Sequence, residues 1–465
     1  MSLDISGCEV GVTAAPIRIF ITSNHPLIRL ANAMPWRALI DLVLMDLKST
    51  TARGCWWTGR KLRVRTHLAA YLLQKLYDLT DRQVEYGLRD NAAFQLFCGF
   101  GIVSGWRAPD HTKIEQFRSR LSPETQRTLA NELAKVAVAL GFGDPGEVDI
   151  DSTVQAANVT YPADANLMTK LAGIGRKVID YLRGKTRGIV PVDLAVDMKA
   201  VKQKARLYYF MKKNMAIEKR RAVFAELHGL VKRQMRPVVD VCSTLDLHRI
   251  GRLPWNIHRA LGQLTKHAWR YLLDVAHFIR THKLKRSKVL SFHAQDVACI
   301  TKGKVGKDKE FGRVFQLGRI KGNFLFVGSS TSLRMDDKQS FVSMMDEHAA
   351  TFGPGTLRSV SADKGYWAGR NQRELIRRGV PESGLQRPGN VKNREGIGSP
   401  EVQARLADRR AGIESLISHA KHGGQLGQSR MRSDTATLAA GYGSILGLNL
   451  RQLIRYQAGK MKKTA

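Results

Sequence analysis

Apolar residues recur with helical spacing along most of this chain, but in two stretches the period shortens to two. That switch restricts the chain to a mixed α/β fold, because a helix-period pattern does not bury well as a strand, nor the reverse. From about Asn24 to Leu140 the pattern is helical: Leu68, Tyr71, Leu72 and Leu76 share one face, interrupted only by Lys75. Leu79-Thr80-Asp81 predicts a turn into a helix start, and Pro109-Asp110-His111-Thr112 predicts another. Gly141 to Gly146 reads as a linker. Beyond it Val148 and Ile150 point one way and Asp149 and Asp151 the other, which predicts a strand with carboxylates on one face.

From about Ala165 to Arg286 the helical period returns, with Pro191, Pro237 and Pro254 expected to break it into pieces. Strands are expected over 295–301, 311–320 and 324–327, with Lys321-Gly322-Asn323 as a hairpin turn. A short strand is expected over 357–363, and a helix near 370–378. Residues 381–400 are rich in Gly, Pro and Asn and read as a loop. Ser399-Pro400-Glu401 supplies a cap, a first-turn proline and an acid, so a helix should run from there to Gly423-Gly424. An apolar helix is expected over about 437–460.

Charge decides the class of partner. The 465 residues carry 75 Lys and Arg against 40 Asp and Glu, a formal net charge of +35. Residues 165–290 hold 28 of the bases and 8 of the acids, so more than half of the excess lies in that segment. A field of this sign attracts polyanions, which points to nucleic acid. With 43% hydrophobic residues the chain can bury a core, so disorder throughout is excluded. No run of about 18 apolar residues suggests a membrane span. Cys8, Cys55, Cys98, Cys242 and Cys299 form no Cys-x-x-Cys pair, and the start of the chain does not read as a secretory signal. A reducing compartment fits this cysteine pattern.

Three carboxylates stand out. Asp151 ends one strand, Asp363 ends another, and Glu414 lies on the late helix. At 100° per residue Arg410, Glu414 and Lys421 fall at roughly 0°, 40° and 20°, so they share a stripe. Carboxylates supply the hard oxygen ligands that two Mg²⁺ ions need for phosphodiester chemistry, and Arg and Lys hold flanking phosphates. The bland alternative is a surface helix ion pair between Arg410 and Glu414. Asp149 competes with Asp151, since both lie on one strand face about 7 Å apart.

Arg410-x3-Glu414-x6-Lys421 resembles the Arg-Glu-Lys part of the Tyr-Arg-Glu-Lys signature of bacterial insertion-sequence transposases of the DDE type, in the family four/five superfamily. Ala407 stands where the signature has Tyr. Asp151-Ser152-Thr153, Asn158-Val159-Thr160-Tyr161-Pro162-Ala163-Asp164 and Ala362-Asp363-Lys364-Gly365-Tyr366 are similar to the two aspartate regions of that family. Lys302-Gly303-Lys304 and Glu310-Phe311-Gly312 resemble its hairpin element, and Leu79 to Gln83, Leu88 to Asn91 and Pro109 to Thr112 its N-terminal helices. The resemblance spans about residues 55–455 and implies a bacterial cytoplasmic, nucleoid-associated location.

It implies an RNase H-like catalytic core with a basic helical insertion, preceded by an all-helical N-terminal DNA-binding domain. The boundaries expected are a flexible lead-in over 1–22, a helical domain over 23–140, a catalytic domain over 147–455 interrupted by an insertion at 165–290, and a basic tail at 456–465. Asp151, Asp363 and Glu414 would be catalytic and would bind two Mg²⁺ ions, with Mn²⁺ able to substitute. Arg410, Lys421, Lys304, Arg82, Arg89, Lys212, Lys213, Lys219, Arg220 and Arg221 would contact DNA. The partner would be double-stranded DNA, both terminal inverted repeats and target, and not a membrane, with a homodimer or larger assembly on the DNA. The rival readings are a catalytically silent DNA-binding protein of repressor type, a related RNase H-fold nuclease, and a basic RNA-binding protein. Asp164 and Glu310 match family positions but are explained equally by capping or pairing. Gly303-Lys304-Val305-Gly306-Lys307 lacks the spacing of a phosphate loop, and His277 and His282 have no partner pattern. Trp56 and Trp57 could stack on bases, with packing or a loop anchor as the equal alternative.

Overall fold

The computed structural model describes residues 2–5, 17–50, 61–99, 107–159, 163–185, 190–211, 216–245, 253–285, 288–294, 297–301, 309–328, 337–389, 396–431 and 433–459. The described chain is mostly helical and carries a mixed sheet. It divides into two compact units, Met1–Asn158 with Ile300–Ala465, and Val159–Cys299.

The first unit opens with β1 (Ser2–Ile5) paired antiparallel to β2 (Ile17–Phe20), within the stretch expected to be a lead-in. Seven helices follow among the described residues, from Pro26–Ala33 to Pro123–Ala139. Their starts are written in the sequence. Thr80 and Gln83 form a reciprocal capping box ahead of Asp81–Asp90. Asp110 accepts from the Lys113 amide at 2.9 Å ahead of His111–Arg120, and Ser122 accepts from the Thr125 amide at 3.1 Å ahead of Pro123–Ala139. Each such cap supplies a partner to an amide that the helix leaves open, worth about 1 kcal/mol.

The sheet is built from β3 (Asp144–Ala156), β4 (Ala298–Thr301), β5 (Lys309–Lys321), β6 (Phe324–Val327), β7 (Ser359–Ala362) and β8 (Glu382–Ser383). Its order is β4-β5-β3-β7-β8, and β6 also pairs with β5. β3 runs antiparallel to β5 and parallel to β7, β5 antiparallel to β6, and β7 parallel to β8. Gly322 and Asn323 make the expected hairpin turn with positive φ of 98° and 64°. Val148, Ile150, Phe315, Leu317, Phe324 and Phe326 are fully buried in one core shared with Leu68, Leu72, Leu133, Leu446 and Leu450 of the helices. Burying each such side chain contributes about 1.5–3 kcal/mol before entropy is subtracted.

The outer edge of β6 is closed by side chains rather than by a strand. Asn131 accepts from the Val327 amide at 2.8 Å and donates to its carbonyl at 3.1 Å. Asn449, fully buried, accepts from the Leu325 amide at 3.0 Å and donates to the Leu325 carbonyl at 2.8 Å. The helix Asp337–Phe352, absent from the sequence reading, buries Phe341, Met344, Met345 and His348. The late helices are Gly369–Arg377, Pro400–His422 and Asp434–Gln457, the second capped by Ser399 as expected.

The second unit is helical. Among its described residues are helices Asp164–Lys185, Met198–Phe210, Ile217–Ser243 and Trp255–Thr281, closed around Leu171, Val178, Leu227, Val231, Leu264 and Tyr271. Pro237 does not break the chain as expected; it lies inside Ile217–Ser243. Burial of Val231 and Met235 before it, and of Val238, Val239 and Cys242 after it, holds both halves on the same core and offsets the lost hydrogen bond. No helix of the described residues is long and apolar enough to cross a membrane.

Candidate active site

The register of β3 against β7 sets the site. Ile150 pairs with Ala362 across two parallel strands, so the next residues, Asp151 and Asp363, lie side by side. Asp363 follows the end of β7 as expected, but Asp151 does not end its strand: β3 runs on to Ala156, held by its pairing with β5. Neighbouring strands lie about 5 Å apart. Asp151 Oδ1 accepts from the Ser152 amide at 2.7 Å. Asp363 caps the short turn Lys364–Tyr366, its Oδ1 accepting from the Lys364 amide at 2.8 Å. Glu414 comes from helix Pro400–His422, and Arg410, one turn earlier, links it to the strand end. Arg410 Nη1 lies 3.8 Å from Asp363 Oδ1 and 3.7 Å from Glu414 Oε1.

Asp151 is the sheltered member of this group. Burial, followed by the nearby negative charges of Asp363 and Glu414, pushes its carboxyl up to about 6, while the Ser152 amide and Arg410 oppose the rise. Behind it, Tyr366 is fully buried and donates to Gln316 Oε1, and Gln316 donates to Asp337 Oδ1 at 3.2 Å. Burial holds the Tyr366 hydroxyl well above its usual range, so it stays protonated as a donor.

Asp149, the rival of Asp151, is occupied. It is 2% exposed and lies between two guanidinium groups. Arg319, its cross-strand partner, donates from Nε at 2.9 Å, and Arg409 donates from Nε at 2.8 Å. Arg409 also donates to Glu147 at 2.9 Å, to Ser359 Oγ at 2.7 Å and to the Val148 carbonyl at 3.0 Å. Arg319 in turn donates to the Arg409 carbonyl at 2.8 Å. This network fastens the Glu414 helix across β3, and the sequence reading did not single out either arginine. Gly412 leaves room for it: a methyl there would overlap the Arg319 guanidinium.

The remaining expected residues lie in different places. Lys421 is in the last turn of the Glu414 helix, and Ala407 is exposed on it. Arg82 and Arg89 are exposed on helix Asp81–Asp90, where Arg89 pairs with Glu85. In the second unit Lys219 and Arg221 are exposed, whereas Arg220 packs its guanidinium 4.8 Å above the Tyr208 ring. Asp164 binds Lys288 at 2.6 Å and accepts from the Tyr271 hydroxyl at its carbonyl, a structural role. Lys304, Lys212, Lys213, Tyr161, Trp56 and Trp57 lie outside the described residues.

By chemistry, Asp151, Asp363 and Glu414 are hard oxygen donors suited to a divalent cation. Among the described residues no three His, Cys, Asp or Glu side chains stand together as a metal-holding group. The three carboxylates are electrostatic neighbours with Arg410 between them, not a closed ligand shell.

Residues 16–120 match the family model described as "Transposase domain (DUF772)". That segment is transposase-like. It covers the first six of the seven described N-terminal helices, stopping before Pro123–Ala139 and before Asp151. The chain is also 27% identical over 153 residues to an uncharacterized protein, ORF8 in the nfe locus, of Rhizobium meliloti, a match covering 32% of this chain and 70% of that protein. No solved structure matches the chain.

Proposed function

We propose that this protein is a DDE-type DNA transposase whose RNase H-like core is formed by β3, β5, β6, β7 and β8. The observation that carries the reading is the convergence of three carboxylates from distant parts of the chain. Asp151 lies within β3 beside Asp363, which follows the end of the adjacent parallel strand β7, and Glu414 on a helix is near enough for its charge to act on Asp151 and for Arg410 to bridge it to Asp363. Support comes from the strand directions, antiparallel on the β5 side of β3 and parallel on the β7 side, and from the transposase-domain match.

In this reading Asp151, Asp363 and Glu414 hold Mg²⁺, with Mn²⁺ as a substitute, and the N-terminal helices and the basic second unit hold double-stranded DNA. The bound metal would activate the attacking oxygen and stabilise the leaving one. The protein's own groups do the rest. Arg410 offsets carboxylate repulsion and offers its guanidinium to a phosphate beside the cut. The Asp149–Arg319–Arg409 network keeps the Glu414 helix in place while the charge at the site changes. Hydrolysis would free a 3′-OH at an element end, and that hydroxyl would attack target DNA. Joining two ends calls for at least a dimer on DNA.

The test is a cleavage and strand-transfer assay with purified full chain, labelled duplex carrying the element ends, and Mg²⁺ or Mn²⁺, beside Asp363→Asn. Nicking and joining by the wild type, with binding alone by the variant, is the expected result. Cutting without joined product would make it a nuclease. Equal binding with no cutting by either protein overturns the catalytic reading in favour of a DNA-binding role.

A further inference from the structure

The second unit contains a cleft of about 560 Å³ between helices Asp164–Lys185 and Met198–Phe210, lined by Arg176, Met198, Lys199, Lys202, Gln203 and Arg206. Resting on the DNA reading above, we propose that this cleft is a binding site for nucleic-acid phosphodiester groups, held by Arg176, Lys199, Lys202 and Arg206. Lys199, Lys202 and Arg206 are spaced i, i+3 and i+7, which places them in one stripe on the helix. The stripe is about 10 Å long by helical rise. That length matches about three successive phosphates of one strand along a duplex axis. Arg176 reaches the cleft from the facing helix.

What the other bases of this unit are doing sharpens the assignment. Lys204, on the same helix as the stripe, pairs with Glu226 at 2.6 Å. Arg220 packs on Tyr208, and Lys288 pairs with Asp164. In contrast, Lys199, Lys202 and Arg206 are exposed and have no salt bridge among the described residues. Arg176 has one, to Asp180 at 3.3 Å, with both side chains 58% exposed. Such an exposed pair is weak and yields readily to a phosphate. Gathering uncompensated cations around one concavity is unfavourable in the free protein, and a polyanion relieves it. The site therefore lies on a helix pair that the basic run Lys219-Arg220-Arg221 does not mark in the sequence.

The test measures binding of the full chain to a labelled DNA duplex without element ends, by anisotropy over a range of salt concentrations. The variant is Lys199→Ala/Lys202→Ala/Arg206→Ala. The control, Lys232→Ala/Arg233→Ala/Arg236→Ala, removes the same charge from exposed positions on helix Ile217–Ser243. Each phosphate contact contributes about 0.9 to the slope of log affinity against log salt. The cleft variant should lower that slope by two to three and weaken binding at least about 10-fold, while the control shifts the slope by less than about one. Equal effects of both triples would assign the binding to the overall field and overturn the site, and so would an unchanged cleft variant. Vesicles of phosphatidylserine and phosphatidylcholine form a second arm. Loss of vesicle binding with DNA binding retained overturns the nucleic-acid assignment in favour of a membrane surface. If the alanine triple melts below wild type, Lys199→Gln/Lys202→Gln/Arg206→Gln repeats the measurement. The slope is independent of cutting, so failure of the cleft and failure of the transposase reading, which Asp363→Asn reports, are separate results.

Discussion

Gly412→Ala should destabilise the protein, although helix propensity alone says the reverse. Gly412 lies inside helix Pro400–His422, where alanine is the better helix former by about 1 kcal/mol. The added methyl falls on the Arg319 guanidinium, which must move. Moving it breaks the donation to Asp149 at 2.9 Å and to the Arg409 carbonyl at 2.8 Å. Hydrogen bonds to a charged group are worth about 1.5–3 kcal/mol each. Asp149, 2% exposed, is then left with Arg409 alone. Subtracting the propensity gain from the low end of that range leaves a net loss of at least about 2 kcal/mol, or roughly 30-fold in the folding equilibrium. Urea unfolding followed by circular dichroism should show a lower midpoint at unchanged slope. In an Arg319→Ala background the same substitution should become stabilising by about 0.5–1 kcal/mol, because only propensity remains. A Gly412→Ala protein more stable than wild type, with Arg319 present, would refute the reasoning.

Three further outcomes are expected. The raised Asp151 carboxyl, about 6 against an ordinary 3.8, makes the folded state bind more protons in that interval. Its contribution to stability is full below the ordinary value and is lost as pH rises through about 6, so Asp151→Asn should match wild type near pH 4 and exceed it by about 1–2 kcal/mol near pH 7.5, after solvent screening, in urea titrations at both pH values. Millimolar Mg²⁺ at the higher pH should raise the melting temperature of wild type and leave that of Asp151→Asn nearly unchanged, as scanning calorimetry would show. Arg409→Lys keeps a charge but loses the fork that grips Asp149, Glu147 and Ser359 at once; DNA cleavage should fall about 10- to 100-fold while duplex affinity by anisotropy stays within about 2-fold.

Local chemistry made much of this fold readable. The cap at Thr80, the proline after Ser399, the hairpin glycine at 322 and the alternation at Val148 to Asp151 are all short-range signals, and each has its counterpart in the structure. The helix Asp337–Phe352 was hidden because its buried stripe includes His348 among Phe341, Met344 and Met345, and polar residues surround it. Pro237 misled for the opposite reason: a strong local breaker is overruled by packing on both sides. At the candidate site, Asp151, Asp363 and Glu414 were readable as residues, but their meeting depends on a strand register that no local pattern encodes. The partners of Asp149 sit 170 and 260 residues away, so its structural employment was invisible in sequence.

The two asparagines that close β6 come from distant parts of the chain, Asn131 from helix Pro123–Ala139 ahead of β3 and Asn449 from helix Asp434–Gln457. Synthesis proceeds from one end, so β6 emerges from the ribosome long before Asn449 does. Until then the Leu325 amide and carbonyl have no Asn449 to meet them. Any product cut short by a premature stop or a frameshift upstream of Asn449 keeps that gap permanently, and a bare strand edge pairs with other chains. Truncated copies of this gene should therefore yield aggregating fragments that are cleared by proteolysis, and not competing half-proteins that occupy DNA.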